Sequence, residues 1–404
     1  MNHKCSMFNY CANTKSGYII YNTLYNSLVR LSENEYQCYQ MQTLCPEELK
    51  KQFIETGLWV DTELDERNNL LRYCYYLTKY QKAEPQITVT TTLDCNARCF
   101  YCYEHGVCKK KIQESTIDNI LSFIQTLDTS NGIKLNWFGG EPLMNTDCID
   151  VISERLKELN IDYTSYIITN GSLITDEIIE KMSDLWNTKD IQITIDGTEE
   201  VYSKRKNYID DNGDYFDLLW KIKKVSDQDI RIHIRVNIDA DNSENVCYLM
   251  DDLEGFFGKN RYITYYPAFL EGSRKPLSDN ERVEIIKNIF NSVKDRRKLT
   301  VNDKLYSPPK VSPCMFYDHH SYTIDVDGFV YRCEHLVGMP ENSMGNIEDF
   351  SESAAAINVL HLRDQCMECV FLPKCMGGCT SNYENGDVPC MIEKYMIQAY
   401  VELL

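Results

Sequence analysis

The chain has 404 residues, 43% of them apolar, and a formal charge of −19. That length suits two or three domains with a sizeable core, and no run approaches the roughly 18 apolar residues of a membrane span. The acidic balance argues against a nucleic-acid partner, and the N-terminus lacks an apolar signal region, so the expectation is a cytoplasmic protein without a membrane partner.

Residues 1–85 read as a module of their own. Strands at 16–21 and 27–31 form a hairpin about 22–26, helices follow at 32–42, 46–56 and 63–80, and 58–60 returns as a short strand. Gly57 suits the C-cap of the second helix. A hairpin with three short helices predicts a small α+β, winged-helix-like unit.

From 86 onward the pattern alternates. Strands are predicted at 86–92, 133–138, 165–169, 190–195, 230–238 and 262–266. Helices are predicted at 114–127, 148–159, 176–185, 215–225, 244–253 and 279–293. Six such units predict an α/β fold with a parallel sheet curled into an open, partial (β/α)6 TIM-like barrel over 86–300. The unusual residues gather just after the strands: Cys95 to Cys102, Gly139 to Pro142, Asn170-Gly171, Asp196-Gly197, then Arg235 with Asn237, and Tyr266. In a parallel barrel these ends share one face, where active sites are built.

Eighteen cysteines in a cytoplasmic chain need a reason. Reducing compartments disfavour disulfides, so clustered thiols point to metal. Three sit at 95, 99 and 102, and seven lie between Cys314 and Cys390. The other eight (5, 11, 38, 45, 74, 108, 148 and 247) are scattered, as small buried hydrophobes are. The Cys-x3-Cys-x2-Cys loop suits three irons of a 4Fe–4S cluster with the fourth left open. A zinc site of three cysteines closed by His105 is the alternative the spacing allows. Gly139-Gly140-Glu141-Pro142 adds a loop on which a ligand can lie close to the backbone and a carboxylate can take an ammonium group.

The cysteine loop, the aromatic Tyr101 before its third cysteine and the Gly-Gly-Glu loop together resemble the radical S-adenosylmethionine (radical SAM) superfamily. The resemblance implies that Cys95, Cys99 and Cys102 hold a 4Fe–4S cluster whose open iron chelates SAM. It further implies that Glu141 binds the methionine amino group, with Gly139 and Gly140 letting the main chain approach the bound SAM, and that Tyr101 contacts the adenine side. Asn170, Asp196 and Arg235 fall where the family touches ribose and carboxylate. SAM would be cleaved to methionine and a 5′-deoxyadenosyl radical that abstracts hydrogen from the substrate.

The order Cys314, Cys333, Cys366-x2-Cys369-x5-Cys375-x3-Cys379 and Cys390 resembles the SPASM extension, over 301–404, of peptide-modifying radical SAM enzymes. A zinc knuckle over 366–379 leaves Cys314, Cys333 and Cys390 unexplained. By resemblance, Cys314, Cys333 and Cys379 hold one auxiliary 4Fe–4S cluster, and Cys366, Cys369, Cys375 and Cys390 a second. An eighth cysteine found in some relatives is missing, which leaves either an open iron or a ligand such as His320 or Asp318. Glu334 is the candidate catalytic base, as a carboxylate is near this position in sulfatase-maturing relatives. The leading expectation is a maturase of ribosomally made peptides, installing a thioether or a carbon–carbon crosslink. Residues 1–85 would then hold the precursor, and a ferredoxin or flavodoxin would supply electrons. The alternatives are an anaerobic sulfatase-maturating enzyme and a non-catalytic iron–sulfur electron-transfer protein.

Overall fold

The structure is a computed structural model describing residues 2–15, 17–42, 45–80, 83–104, 109–210, 212–271, 275–293, 298–299, 305–351, 360, 362–379 and 390–404. Ser16, His105 and Cys108, each named above, lie outside the described residues.

The N-terminal part holds β1 (His3–Cys5), β2 (Asn9–Thr14), β3 (Gly17–Asn22), β4 (Ser27–Leu31) and, after two helices, β5 (Trp59–Asp61). The helices are α1 (Glu33–Met41), α2 (Glu47–Glu55) and α3 (Glu66–Tyr80). The expected hairpin is β3–β4, and β2 extends it to three antiparallel strands, while β1 pairs with β5. Sequence reading missed β1 and β2, whose Asn-, Thr- and Lys-containing stretches look like turn rather than strand. α1 starts on a capping box in which Ser32 and Glu35 satisfy each other's backbone donors.

Six parallel strands follow: β6 (Gln86–Thr92), β7 (Ile133–Gly139), β8 (Tyr163–Thr169), β9 (Thr188–Thr194), β10 (Arg231–Ile238) and β11 (Ile263–Phe269). They lie side by side in chain order. Their connections carry α4 (Glu114–Ile124), α5 (Thr146–Glu158), α6 (Asp176–Asp184), α7 (Glu199–Lys206), α8 (Tyr215–Ser226) and α9 (Asn245–Phe257), with α10 (Asp279–Ser292) after β11. One face of the sheet, with Leu135, Trp137, Ile167, Ile191, Ile193, Ile232 and Ile234, is buried in the main apolar core. The alternate residues Tyr166, Gln192, Arg235 and Tyr266 are half-buried on the other face, as the two-residue side-chain period requires.

The sheet does not stop at β6. β12 (Ser321–Ile324) pairs parallel with β6, and β13 (Phe329–Tyr331) and β14 (Gly345–Asn346) continue antiparallel, giving nine strands. This edge carries Cys333 and Glu334 to the cysteine loop's side of the sheet. Four-residue and shorter strands between cysteines give no readable periodicity, so this continuation was not predicted. The last helix, Ile392–Glu402, packs on α10, where the Tyr395 hydroxyl and Lys394 both reach Asp279 at 2.6 Å. No helix among the described residues is long and apolar enough to cross a membrane.

Candidate active site

The cysteine loop leaves β6 and is pinned by a segment it does not touch in sequence. Ala97 bridges to Tyr208, the Arg98 amide donates to Lys206 O at 3.0 Å, and the Ile209 amide donates to Asn96 O at 2.9 Å. Asn96 is buried and its side-chain amide donates to Ser172 and Asp210 while its oxygen accepts from Asn170. Burial pushes the Cys95 thiol up to about 12, with Glu141, Cys99 and Cys102 adding to it. Cys102 is raised by burial as well, and Cys99 contributes there too. The three thiols therefore lie within electrostatic range of one another.

Among the described residues, no three His, Cys, Asp or Glu side chains converge as around a single metal ion. Three thiols of one short loop, each within electrostatic range of the others, are the donor chemistry of an iron–sulfur cluster with one iron left open. Their raised affinity for protons also means that metal is needed to ionise them. The residues present fit the cluster.

The Gly-Gly-Glu loop closes on the cysteine loop. Gly139 has φ +130°, and a Cβ there would stand 2.1 Å from Thr92 O; one on Gly140 would stand 2.4 Å from Asp94 O and 3.1 Å from the Cys95 Cβ. The glycines let the backbone approach the cysteine loop itself, which the Gly140 amide–Thr92 O and Glu141 amide–Asp94 O bonds of 3.0 and 2.8 Å secure. Glu141 is fully buried and accepts from the Thr169 hydroxyl (2.7 Å), the Asn170 amide (2.7 Å) and the Leu143 amide (3.1 Å). Burial raises its carboxyl and these donors pull it back. Three of its roughly four acceptor positions are thus taken by the protein, so Glu141 clamps the loop after β7 to the end of β8.

Tyr101 donates its hydroxyl to Asp196, and Asp196 also accepts from the Asn237 amide at 3.0 Å. Beside them lies a residue that sequence reading missed. Arg205, at the end of α7, makes a two-pronged pair with buried Asp239 at 3.2 and 3.0 Å. Its guanidinium stands 4.9 Å from the Phe100 ring centre and 5.7 Å from that of Tyr101. In the sequence it sits in a run of charges that reads as a solvated helix, and only Asp239 and the two aromatics, all distant in sequence, give it a role. Arg235 donates to the Asn237 side chain at 2.8 Å and faces the Tyr266 ring at 5.9 Å.

Glu334 meets these residues from the other side. Protein surrounds most of it although it is not sealed from solvent, and burial pushes its carboxyl up to about 7 against the pull of Arg235 and the Thr88 hydroxyl. Glu104, two residues past Cys102, is raised to about 7 by burial and by Glu334. The His335 ring lies 4.3 Å from that of Tyr103. The structure thus brings Glu334, Arg235 and the residues after Cys102 together.

The seven C-terminal cysteines fall into two groups. Cys333 is pushed up to about 12 by burial, with Cys314 and Cys379 adding to it. Cys375 is likewise pushed up to about 12 by burial, with Cys369 and Cys366 adding, and Cys369 is raised by burial with Cys390 and Cys366 adding. Asp318 accepts from the His320 amide and Ser321 hydroxyl at 2.9 and 3.1 Å, and the His320 ring approaches it at 3.5 Å. Both are engaged in the turn that starts β12.

Residues 89–253 match the Radical SAM superfamily. The chain carries a radical SAM domain. The cysteine-type anaerobic sulfatase-maturating enzyme of Clostridium novyi is 24% identical over 332 residues, 72% of this chain and 86% of that protein. The structure of anSMEcpe with bound AdoMet superposes with TM-score 0.63 at 15% identity, over 79% of this chain and 92% of that one. Streptococcus suis SuiB bound to its precursor peptide SuiA superposes with TM-score 0.55 at 15% identity, over 96% of this chain and 98% of that one. These structural likenesses carry the fold.

Proposed function

We propose that this radical SAM enzyme is a peptide maturase with a SPASM-type C-terminal region, acting on a ribosomally made precursor to install a thioether or carbon–carbon crosslink. The observation that carries the reading is the grouping of ten thiols as three, three and four, with Glu334 standing between the first two groups. With its cluster and SAM bound, the Cys95–Cys102 site supplies a 5′-deoxyadenosyl radical. The chain's own residues do the rest. Glu141 locks the Gly-Gly-Glu loop against Asn170, so that Gly139 and Gly140 present backbone to the methionine end. Tyr101, tied to Asp196 and covered by Arg205, borders the adenine side, and Arg235 lies between that side and the substrate face. Glu334, next to Cys333, would accept the proton released when the substrate radical gives up one electron, which a cluster held by Cys314, Cys333 and Cys379 would take.

The likeness to SuiB, like that to anSMEcpe with a bound peptide, supports a peptide substrate. It spans 96% of this chain against 79% for anSMEcpe, a difference comparable in size to residues 1–85. A winged-helix-like module there would receive the precursor by pairing a strand with it. Formylglycine formation on a sulfatase is the second reading, favoured by the relative from Clostridium novyi. The test is incubation of reduced, iron-loaded protein with SAM and with each short peptide found encoded in the neighbourhood of its gene. The reading expects 5′-deoxyadenosine and a peptide lighter by two hydrogens with a new internal link. A formylglycine on a sulfatase-derived peptide and no change in any neighbouring peptide would overturn it.

A further inference from the structure

The outward face of α3 is unlike the rest of this acidic chain. Residues 67–80 hold three cations, Arg67, Arg72 and Lys79, and no acid, in a chain of charge −19. Arg67 pairs with Glu368 at 2.9 Å. Arg72 is exposed, and among the described residues neither it nor Lys79 meets a carboxylate. Lys79 lies 5.6 Å from the Tyr75 ring centre and 5.4 Å from that of Tyr80. Tyr73, Tyr75, Tyr76 and Tyr80 are each between 51% and 66% exposed. Tyrosines and cations gathered on open surface are the composition of an interface, whereas a solvated face avoids large rings.

Next to this patch opens a mostly apolar cavity of about 460 Å³, bordered by Leu71 and Tyr75 of α3, by Pro313 and Tyr317, and by Leu362 and Met367. Among the described residues Asp364 is the single acid lining it. Pro313 precedes Cys314 and Met367 follows Cys366, so the cavity runs between the loops that carry the two C-terminal thiol groups. α3 also packs on one of them, since Leu70 and Cys74 share a buried cluster with Cys366, Leu372 and Met376.

We propose that this face of α3, with the cavity beside it, docks an acidic one-electron carrier protein and is where electrons reach the C-terminal thiol groups, an inference that rests on those groups holding iron–sulfur clusters. The charge of the patch selects an acidic partner. Its place against both thiol-bearing loops favours a carrier over an acidic precursor peptide. One electron leaves the carrier, whose centre is oxidised by one, and the receiving cluster is reduced by one. No bond forms or breaks and no proton moves.

The experiment mixes reduced flavodoxin with the full-length, iron-loaded chain and follows bleaching of the iron–sulfur absorbance, in wild type, Arg72→Glu/Lys79→Glu and Tyr76→Ala. In wild type the rate falls as salt rises, and the double charge reversal slows it by about tenfold or more. Dithionite, which needs no docking face, reduces all three chains alike. Equal flavodoxin rates in wild type and the charge-reversed chain, with dithionite-reducible clusters present, overturn the inference. So does loss of precursor-peptide affinity with the flavodoxin rate unchanged, which makes the face a peptide site. Wild type with no more iron–sulfur absorbance than a chain in which the seven C-terminal cysteines are replaced by Ala sinks the underlying cluster reading, and that comparison tells the two failures apart.

Discussion

At the scale of single residues, the site is a set of loops pressed against one another. A methyl on Gly140 has no space between Asp94 O and Cys95, so Gly140→Ala displaces the cysteine loop. Reconstituted protein of this variant is expected to carry less iron and to lose SAM binding; unchanged iron per chain would contradict the packing argument. Arg205 is nearly buried and satisfies Asp239 with two bonds. Arg205→Gln leaves a buried carboxylate uncompensated and costs about 3–5 kcal/mol in urea unfolding. A loss below about 1 kcal/mol, the worth of an exposed pair, would place Arg205 in solvent. Glu334→Gln keeps the shape and removes the carboxylate proposed as the base, so 5′-deoxyadenosine formation is expected to persist while product yield drops; unchanged yield takes Glu334 out of the reaction.

The residues most open to reading in advance were those whose chemistry sets their spacing. Three thiols within eight positions, and a Gly-Gly-Glu turn after a strand, announce themselves because metal and backbone contacts tolerate few other residues. Arg205 and Asp239 do not, since their pairing depends on α7 folding beneath the cysteine loop, and nothing local encodes that. Glu141 shows a subtler gap. Its type pointed to an ammonium ligand, but its geometry adds a clamp made with Thr169 and Asn170, which no single stretch of sequence contains.

At the scale of elements, the parallel strands and most helices were legible from period alone. The short strands β12 to β14 were not, because pairing partners rather than periodicity define them. Their attachment to β6 matters, since it sets Cys333 and Glu334 beside the cysteine loop. The N-terminal hairpin makes a similar unforeseen attachment. Lys374, 2% exposed between the C-terminal cysteines, reaches the Leu305 and Ser307 carbonyls at 3.0 and 2.6 Å and the side chain of Asn26, the residue at the hairpin turn. Lys374→Ala removes a charged donor from these acceptors, each of which keeps a second partner in Tyr21 or Asn26, and is expected to cost about 1.5–3 kcal/mol by chemical denaturation. An unaltered midpoint would mean that the hairpin and the cysteine loop do not depend on each other.

At the scale of the whole molecule, the N-terminal part is bound into the rest. Phe8, Leu70 and Cys74 are buried with Cys366, Leu372 and Met376, Tyr10 packs on Phe371, and the Tyr10 hydroxyl reaches Glu402 at 2.5 Å. Removing residues 1–85 would therefore strip one thiol-bearing loop of its cover as well as any precursor-binding surface. Point substitutions separate those effects where truncation merges them. The nine-stranded sheet carries thiol-bearing loops near its β6–β12 junction, and the N-terminal part packs against one of the C-terminal ones.

The central claim, that ten cysteines form three cluster sites of which only one cleaves SAM, is tested most directly by iron content and 5′-deoxyadenosine in parallel. Replacing Cys95, Cys99 and Cys102 by Ala should remove about one third of the iron and all SAM cleavage. Replacing Cys314, Cys333 and Cys379, or Cys366, Cys369, Cys375 and Cys390, should remove about one third each and leave SAM cleavage measurable. Iron that is insensitive to either C-terminal group, or SAM cleavage that survives loss of the first, would contradict the account.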